Sequence, residues 1–375
     1  MSQASSSMYR LSASPADLTG KPTVFAGYGS AAYINPNTNE TYVVGNNQYG
    51  QLLAPPTLGS RLDFSKASSD PTIKKLAMFG NHTIIIREKL KSQVWGLNTH
   101  GQLALPKNQN TLTPVLGVDL DDIWEDAAVG ITHTLLLKAG DLYVCGDGTK
   151  GQFGSALNKI VTTPTKVSFP SALKIVEVKA GAYFSAVILS DRSLWITGMF
   201  GLLRKSNWTK IADSCLLLST GHSHLSWLFA SGSDNNIGFY GNNHYNQCFP
   251  DMEGSVKGKS MYPDAMYWSG STLKSVSKLA CGWFSTSMVS AETTSVKRHL
   301  GLNYQKCLSN SLPDFSKVSR SFSQDATGLN QIAVGHCISI ETSNSGKTVT
   351  LRGNLRFSPL SGSVGQTGSL KTIAL

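Results

Sequence analysis

Two series of glycines alternate along this chain, and together they leave few folds open. The first closes seven short segments: Val43-Val44-Gly45, Val94-Trp95-Gly96, Val144-Cys145-Gly146, Ile196-Thr197-Gly198, Phe239-Tyr240-Gly241, His299-Leu300-Gly301 and Leu351-Arg352-Gly353. Its intervals are 51, 50, 52, 43, 60 and 52 residues. The second series is Gly27, Gly80, Gly130, Gly181, Gly221, Gly282 and Gly335; each follows an apolar stretch and precedes a strand-like run such as His133-Thr134-Leu135-Leu136-Leu137. From the second series to the first the spacing is 16 to 20 residues, whereas the return varies from 23 to 41. The tight interval fits two strands joined by a short turn, for which Ala139-Gly140-Asp141 and Ser190-Asp191-Arg192-Ser193 supply the residues. The variable interval contains the exposed loops. Each unit therefore reads as four short strands. Such a unit cannot bury a face alone, and radial stacking of seven solves that problem. The expected fold is all-β, a seven-bladed β-propeller.

Other ring types fit less well. There is no Trp-Asp dipeptide and no Gly-Gly. A third signal follows the first series in the best copies: Gly50-Gln51-Leu52, Gly101-Gln102-Leu103 and Gly151-Gln152-Phe153-Gly154. With the turn Ala128-Val129-Gly130-Ile131-Thr132-His133-Thr134, the stretch Gln93-Val94-Trp95-Gly96-Leu97-Asn98-Thr99-His100-Gly101-Gln102-Leu103 resembles the regulator of chromosome condensation repeat. The resemblance runs from about Thr23 to the C-terminus. The turn histidine is kept in three units, as His82, His133 and His224, and gives way to Ser30, Phe184, Ser285 and Ile338 in the others. Units four, six and seven lack the Gly-Gln-Leu signal, which marks a diverged member.

A ring of seven units occupies 23–375 as one domain. Residues 1–22 are Ser-rich and read as a disordered arm; with Arg10 the only basic residue before Asp17, a mitochondrial targeting segment is the less favoured reading. No secretory h-region is present, and no apolar run approaches the roughly 18 residues that span a bilayer. A soluble, monomeric propeller of the cytoplasm or nucleus with no membrane partner is expected. The six cysteines, at 145, 215, 248, 281, 307 and 337, form no Cys-x-x-Cys pair and read as reduced core thiols. The net charge is +10, but Lys and Arg are scattered, so nucleic acid or chromatin is a weak partner class. Acidic residues concentrate once, at Asp119, Asp121, Asp122, Glu125 and Asp126, a solvated loop or a docking patch for a basic partner.

No catalytic constellation is present: no Gly-x-Ser-x-Gly elbow and no phosphate-binding Gly-x-x-x-x-Gly-Lys loop. No cofactor is expected. His222 and His224 form His-x-His, but His224 is the repeat's own turn residue, so no metal site is assigned. The resemblance implies instead that partners dock on the turns that ring the channel mouth. The founding member is a guanine nucleotide exchange factor for the small GTPase Ran, and the resemblance implies that exchange uses aspartates in these turns and an inserted hairpin. Here the turns carry Tyr28, Asn81, Thr132, Tyr183, His222, Trp283 and His336, none acidic, and the third unit shows no clear insertion. These seven residues are the candidate partner-binding set, since aromatics bury much area at small entropic cost. The expected function is a non-enzymatic interaction module or adaptor, with guanine nucleotide exchange on a small GTPase as the alternative.

The chain begins inside a unit, at Thr23-Val24-Phe25-Ala26-Gly27, and ends on the strand-like Leu370-Lys371-Thr372-Ile373-Ala374-Leu375. The two termini are expected to complete one shared blade and so close the ring.

Overall fold

The computed structural model describes residues 23–105, 115–231, 234–248, 261–268, 276–291, 295–302, 317–325, 329–336, 338–343, 348–353 and 371–374. The arm 1–22 lies outside these residues, as do Cys307 and Cys337. The described chain forms seven four-stranded antiparallel sheets, each built from strands consecutive in sequence. The blades span 24–68, 73–119, 126–166, 175–212, 217–268, 276–325 and 329–374. Their innermost strands surround a central cavity of about 360 Å³. The seven-bladed propeller expected from the glycine series is the observed fold. No helix among the described residues is long and apolar enough to cross a membrane.

Each blade is an up-and-down meander. The turn from innermost to second strand and the loop from third to outer strand therefore share one face of the ring. The hairpin between second and third strands and the link to the next blade lie on the other.

The first glycine series has a local cause. Gly146 sits at φ +96°, where a Cβ would lie 2.2 Å from the Thr132 carbonyl oxygen of the neighbouring turn. That carbonyl accepts the Asp147 N–H at 2.8 Å, and the pairing with the outer strand shifts register between Val144 and Gly146. The same carbonyl contact and register shift recur at Gly45, Gly96, Gly198, Gly241 and Gly301. The glycine is thus a bulge that lets the third strand touch the rim turn. Gly146→Ala is expected to cost about 3 kcal/mol in urea unfolding. A loss below about 0.5 kcal/mol would show that the turn yields without strain.

The Gly-Gln-Leu signal also has a structural role. Asn98 Oδ1 accepts the Leu103 N–H at 2.9 Å and Gln102 Oε1 accepts the His100 N–H at 2.8 Å, which fixes the loop after the third strand. Leu103 is thereby fully buried. The loop then docks on the next blade, where the Thr134 hydroxyl donates to the Gln102 carbonyl at 2.7 Å. Because that hydroxyl proton is used, His82 Nε2–H must donate to Thr134 Oγ1, at 3.1 Å. His133 Nε2 lies 3.3 Å from Ser185 Oγ and His224 Nε2 lies 3.0 Å from Thr286 Oγ1, each a hydrogen bond to the next blade. The turn histidines are therefore clasps between blades rather than ligands for a metal.

Blade 4 departs from this pattern consistently. Its third and outer strands are joined by only Gly201 and Leu202, where blade 3 inserts 148–159. No loop carbonyl reaches blade 5, and Leu225 there replaces the threonine. Phe184 replaces the histidine. Phe200 fills the space of the missing loop leucine, 4.2 Å from the Phe184 ring and 4.9 Å from the Tyr240 ring by centroid. These residues form one buried cluster between blades 4 and 5.

Apolar clusters of this kind join blades 1 and 2, 2 and 3, 3 and 4, 5 and 6, and 7 and 1 as well. Cys145, Cys215 and Cys248 are buried among them as free thiols, Cys281 is buried against the Ser226 hydroxyl, and burial pushes the Cys145 thiol up to about 12.

Ring closure differs from the sequence expectation. Val24–Ala26 is the innermost strand of blade 1 and pairs with Ser30–Ile34, while Lys371–Ala374 is the outer strand of blade 7 and pairs with Thr348–Gly353. The termini do not share a blade. The seam is closed by side-chain packing of Val24, Ala31, Tyr33 and Val44 on Ile338, Ile340, Val349 and Leu351. The Thr23 N–H also donates to Gln331 Oε1 at 2.6 Å. The physical reason is that both end blades hold four strands of their own, so neither has a vacant strand position. Loss of the last strand exposes one blade edge and leaves the seam packed.

Candidate functional site

The seven turns between innermost and second strands meet at one mouth of the channel, backbone to backbone. A Cβ on Gly335 would lie 2.2 Å from the Gly27 carbonyl oxygen, so only glycine permits this approach. Peptide N–H groups of five turns bond to the next turn around the ring: Ile131 to Ala182 O, Ala182 to His222 O, His222 to Gly282 O, Trp283 to Gly335 O and His336 to Gly27 O, at 2.9–3.4 Å. The side chains between the glycines are consequently held at fixed spacing around the mouth.

Most of the candidate residues converge on Trp283. Its ring centroid lies 4.1 Å from His336, 4.4 Å from His222 and 4.7 Å from Tyr28. Tyr28 stacks on His336 at 4.8 Å. Tyr183 reaches the edge of the group through His222, 6.2 Å away. The cluster draws on blades 1, 4, 5, 6 and 7, so aromatic side chains floor the mouth. His336 is buried, and the other aromatics of the set are half-buried. Burial holds the imidazole of His222 down to about 4 and that of His336 down to about 3, so both are neutral near pH 7.

Asn81 and Thr132 are in the turns but outside the aromatic group. Their backbone carbonyls accept the Leu97 and Asp147 N–H groups, at 2.9 and 2.8 Å. Three aromatics absent from the candidate set complete the platform. Phe79 stacks on Trp283 at 6.2 Å, Phe284 meets His336 at 5.7 Å, and Tyr245 meets Phe284 at 5.1 Å. Phe79 had a visible signal, since Gly80 stands two residues before His82 where Gly130 and Gly221 stand three before their histidines, which puts Phe79 at the equivalent place. Tyr245 had none, because it reaches the mouth from the loop after the third strand.

The acidic stretch lies on the opposite face, between blades 2 and 3. Asp119 pairs with Arg87 and Asp126 with Lys75, both at 2.6 Å, and Asp122 pairs with Lys138. Glu125 accepts the Ala139 N–H at 2.9 Å, while Asp121 is exposed. Lys138 draws the Asp122 carboxyl below its ordinary range. These charges tie elements of the two blades together.

Comparison with known proteins agrees with the geometry. The sequence profile of the Regulator of chromosome condensation (RCC1) repeat matches residues 94–137 and 139–188. Each match runs from the third strand or hairpin of one blade into the second strand of the next, so sequence repeat and blade are out of phase. The human X-linked retinitis pigmentosa GTPase regulator is 30% identical over 138 residues, 35% of this chain and 13% of that protein. The zebrafish (Danio rerio) RCC2 homolog is 31% identical over 120 residues, 31% of this chain and 24% of that protein. The chain thus spans well under a third of the length of these curated relatives. Among solved structures, human WBSCR16 superposes with a TM-score of 0.71 at 16% identity, covering 90% of this chain and 95% of that one. Yeast RCC1 (Prp20), solved bound to Kap60, gives 0.70 at 14%, covering 94% and 86%. With seven blades, bulge glycines, turn histidines and two matched repeats, the chain is a seven-bladed propeller that carries regulator of chromosome condensation repeats.

Proposed function

We propose that this protein is a non-enzymatic interaction module that presents its turn face to a protein partner. The observation that carries this reading is the aromatic platform around Trp283, fixed on a hydrogen-bonded belt with Tyr28, Tyr183, His222 and Trp283 only partly buried. Rigid aromatics on a preorganised frame lose little entropy on binding. The turns present Tyr28, Tyr183, His222 and Trp283, and no carboxylate, to whatever docks there. A nuclear or cytoplasmic setting belongs to the same proposal. Guanine nucleotide exchange on a small GTPase is the second reading. It is favoured by similarity to a protein named as a GTPase regulator and to Prp20p, whose structure is described with its binding to Gsp1p and histones.

Partner capture from cell extract tests both. Tyr183→Ser with Tyr245→Ser strips the platform edge and leaves the Trp283 centre in place. The intact protein is expected to retain a partner that this variant loses at an unchanged melting temperature. Recovery of a small GTPase, strongest after its nucleotide is stripped with a chelator, would replace the adaptor reading with exchange. A partner retained equally by the variant would remove the platform from the interface.

A further inference from the structure

The short turn of blade 4 leaves a gap in the ring of loops, and the adjoining groove has no role in the platform. The blade 3 loop runs along the outer strand of blade 4, Leu203–Ala212. Gly151 lies against Lys205 and Ser206, Gly154 against the Trp208 indole, and Arg204 Nη2 donates to Thr149 O at 3.3 Å. Between them is a pocket of about 370 Å³ with Phe153, Leu157, Val167, Pro170 and Trp208 in its wall. Trp208 is 8% exposed, yet its indole Nε1–H has no hydrogen-bond partner in the protein. A buried indole N–H ordinarily finds an acceptor.

The surroundings are basic. Lys150, Lys159 and Arg204 are exposed and Lys205 half-exposed around the same loop and strand. The carboxylate at the base of the loop, Asp147, is engaged by the Thr149 N–H and hydroxyl at 2.8 and 2.6 Å. Lys166, at the pocket wall, is paired with Asp141 at 2.8 Å. At the gap itself Leu202 is 91% exposed.

We propose that this groove docks an acidic peptide segment carrying one apolar anchor side chain. The anchor enters the pocket against the Trp208 ring, and flanking carboxylates meet Lys150, Lys159, Arg204 and Lys205. A phosphodiester backbone would satisfy the cations but leave the apolar wall and Leu202 without a counterpart, so a peptide is the better match. The proposal rests on the interaction-module reading and specifies the partner's chemistry.

The test is fluorescence anisotropy with a labelled twelve-residue probe of Asp and Glu around a central Phe. Saturable binding is expected. It should weaken at least about tenfold with Ser for Phe in the probe, and likewise with Arg204→Glu plus Lys205→Glu at unchanged melting temperature. Absence of saturable binding, equal binding of the Ser probe, or equally tight binding of a labelled oligothymidine overturns the proposal. A partner lost with Tyr183→Ser plus Tyr245→Ser but kept with Arg204→Glu plus Lys205→Glu sinks the groove and leaves the module reading standing. A protein that captures no partner at all sinks the parent reading instead.

Discussion

Acidification from pH 7 to about pH 4.5 is expected to unfold this propeller, and the inter-blade histidines are the cause. His82, His133 and His224 are fully buried, and burial lowers them from 6.5 to about 3, 4 and 3. Their neutral rings bond to hydroxyls of the next blade, a geometry in which a second proton has no solvated place. The sign follows from the depressed folded values. Below pH 6.5 the unfolded chain takes protons that the folded chain refuses, so stability is full above 6.5 and falls as pH drops toward 3–4. Each group then removes up to about 1.4 kcal/mol per pH unit, and the three together about 4. For a stability of about 5–10 kcal/mol, the lower part of the usual range for a domain, the midpoint should lie roughly between pH 4 and 5.5. His222 and His336 act in the same direction from the rim. Circular dichroism melting at half-unit pH steps measures this. A melting temperature flat from pH 7 to 5 would exclude the histidines as the weak point. The chain contains its own control, since Phe184 and Leu225 join blades 4 and 5 without a titrating group. Transplanting that solution as His133→Phe with Ser185→Leu should move the acid midpoint downward.

The fold was legible because backbone geometry wrote it into glycine. A bulge at φ near +100° and a turn carbonyl within 2.5 Å of the would-be Cβ exclude side chains in blade after blade, so the pattern persists as other residues drift. In blade 4 the histidine and Gly-Gln-Leu signals were lost together for a similar reason. Removing the loop of blade 4 removes the carbonyl that the next threonine would bind, and Phe184, Phe200 and Leu225 replace the set together. The closing seam was misread because a strand-like terminus says nothing about which sheet has room for it. The candidate site was partly legible. Turn positions identified Tyr28, His222, Trp283 and His336, which do meet, but spacing could not distinguish them from Asn81 and Thr132, whose role is in the backbone. The groove at Trp208 was invisible, since it arises from a loop of one blade meeting a strand of another.

Breaking the Lys297–Glu341 pair is expected to cost the protein about 3–5 kcal/mol, and the two halves of the pair should differ. Among the described residues, the six apolar clusters span six of the seven blade junctions, and at the seventh, between blades 6 and 7, this ion pair is buried beyond the Trp283–Gly335 contact of the turns. Lys297 Nζ lies 2.6 Å from Glu341 Oε1, with the side chains 3% and 9% exposed. Burial drives the Lys297 ammonium below its ordinary range, and Glu341 opposes that shift only in part. Arg352 stands 3.9 Å from the same carboxylate, too far for a hydrogen bond but close enough to attract it. Lys297→Met leaves Glu341 with Arg352 as a residual partner. Glu341→Leu leaves two cations facing each other in a dry junction, so it should be the worse variant. It should also respond to pH differently from the parent. With its carboxylate gone, Lys297 is depressed further in the fold, so the variant regains stability as pH rises toward 10.5, where the unfolded lysine also loses its proton. The double variant Lys297→Met, Glu341→Leu should recover most of the loss, because an apolar pair needs no desolvation to be offset. Urea unfolding of the three variants at pH 7 and pH 9.5 completes the cycle. Additive losses in the double variant would mean that the charges act separately, and that the junction of blades 6 and 7 is held by something other than their pairing.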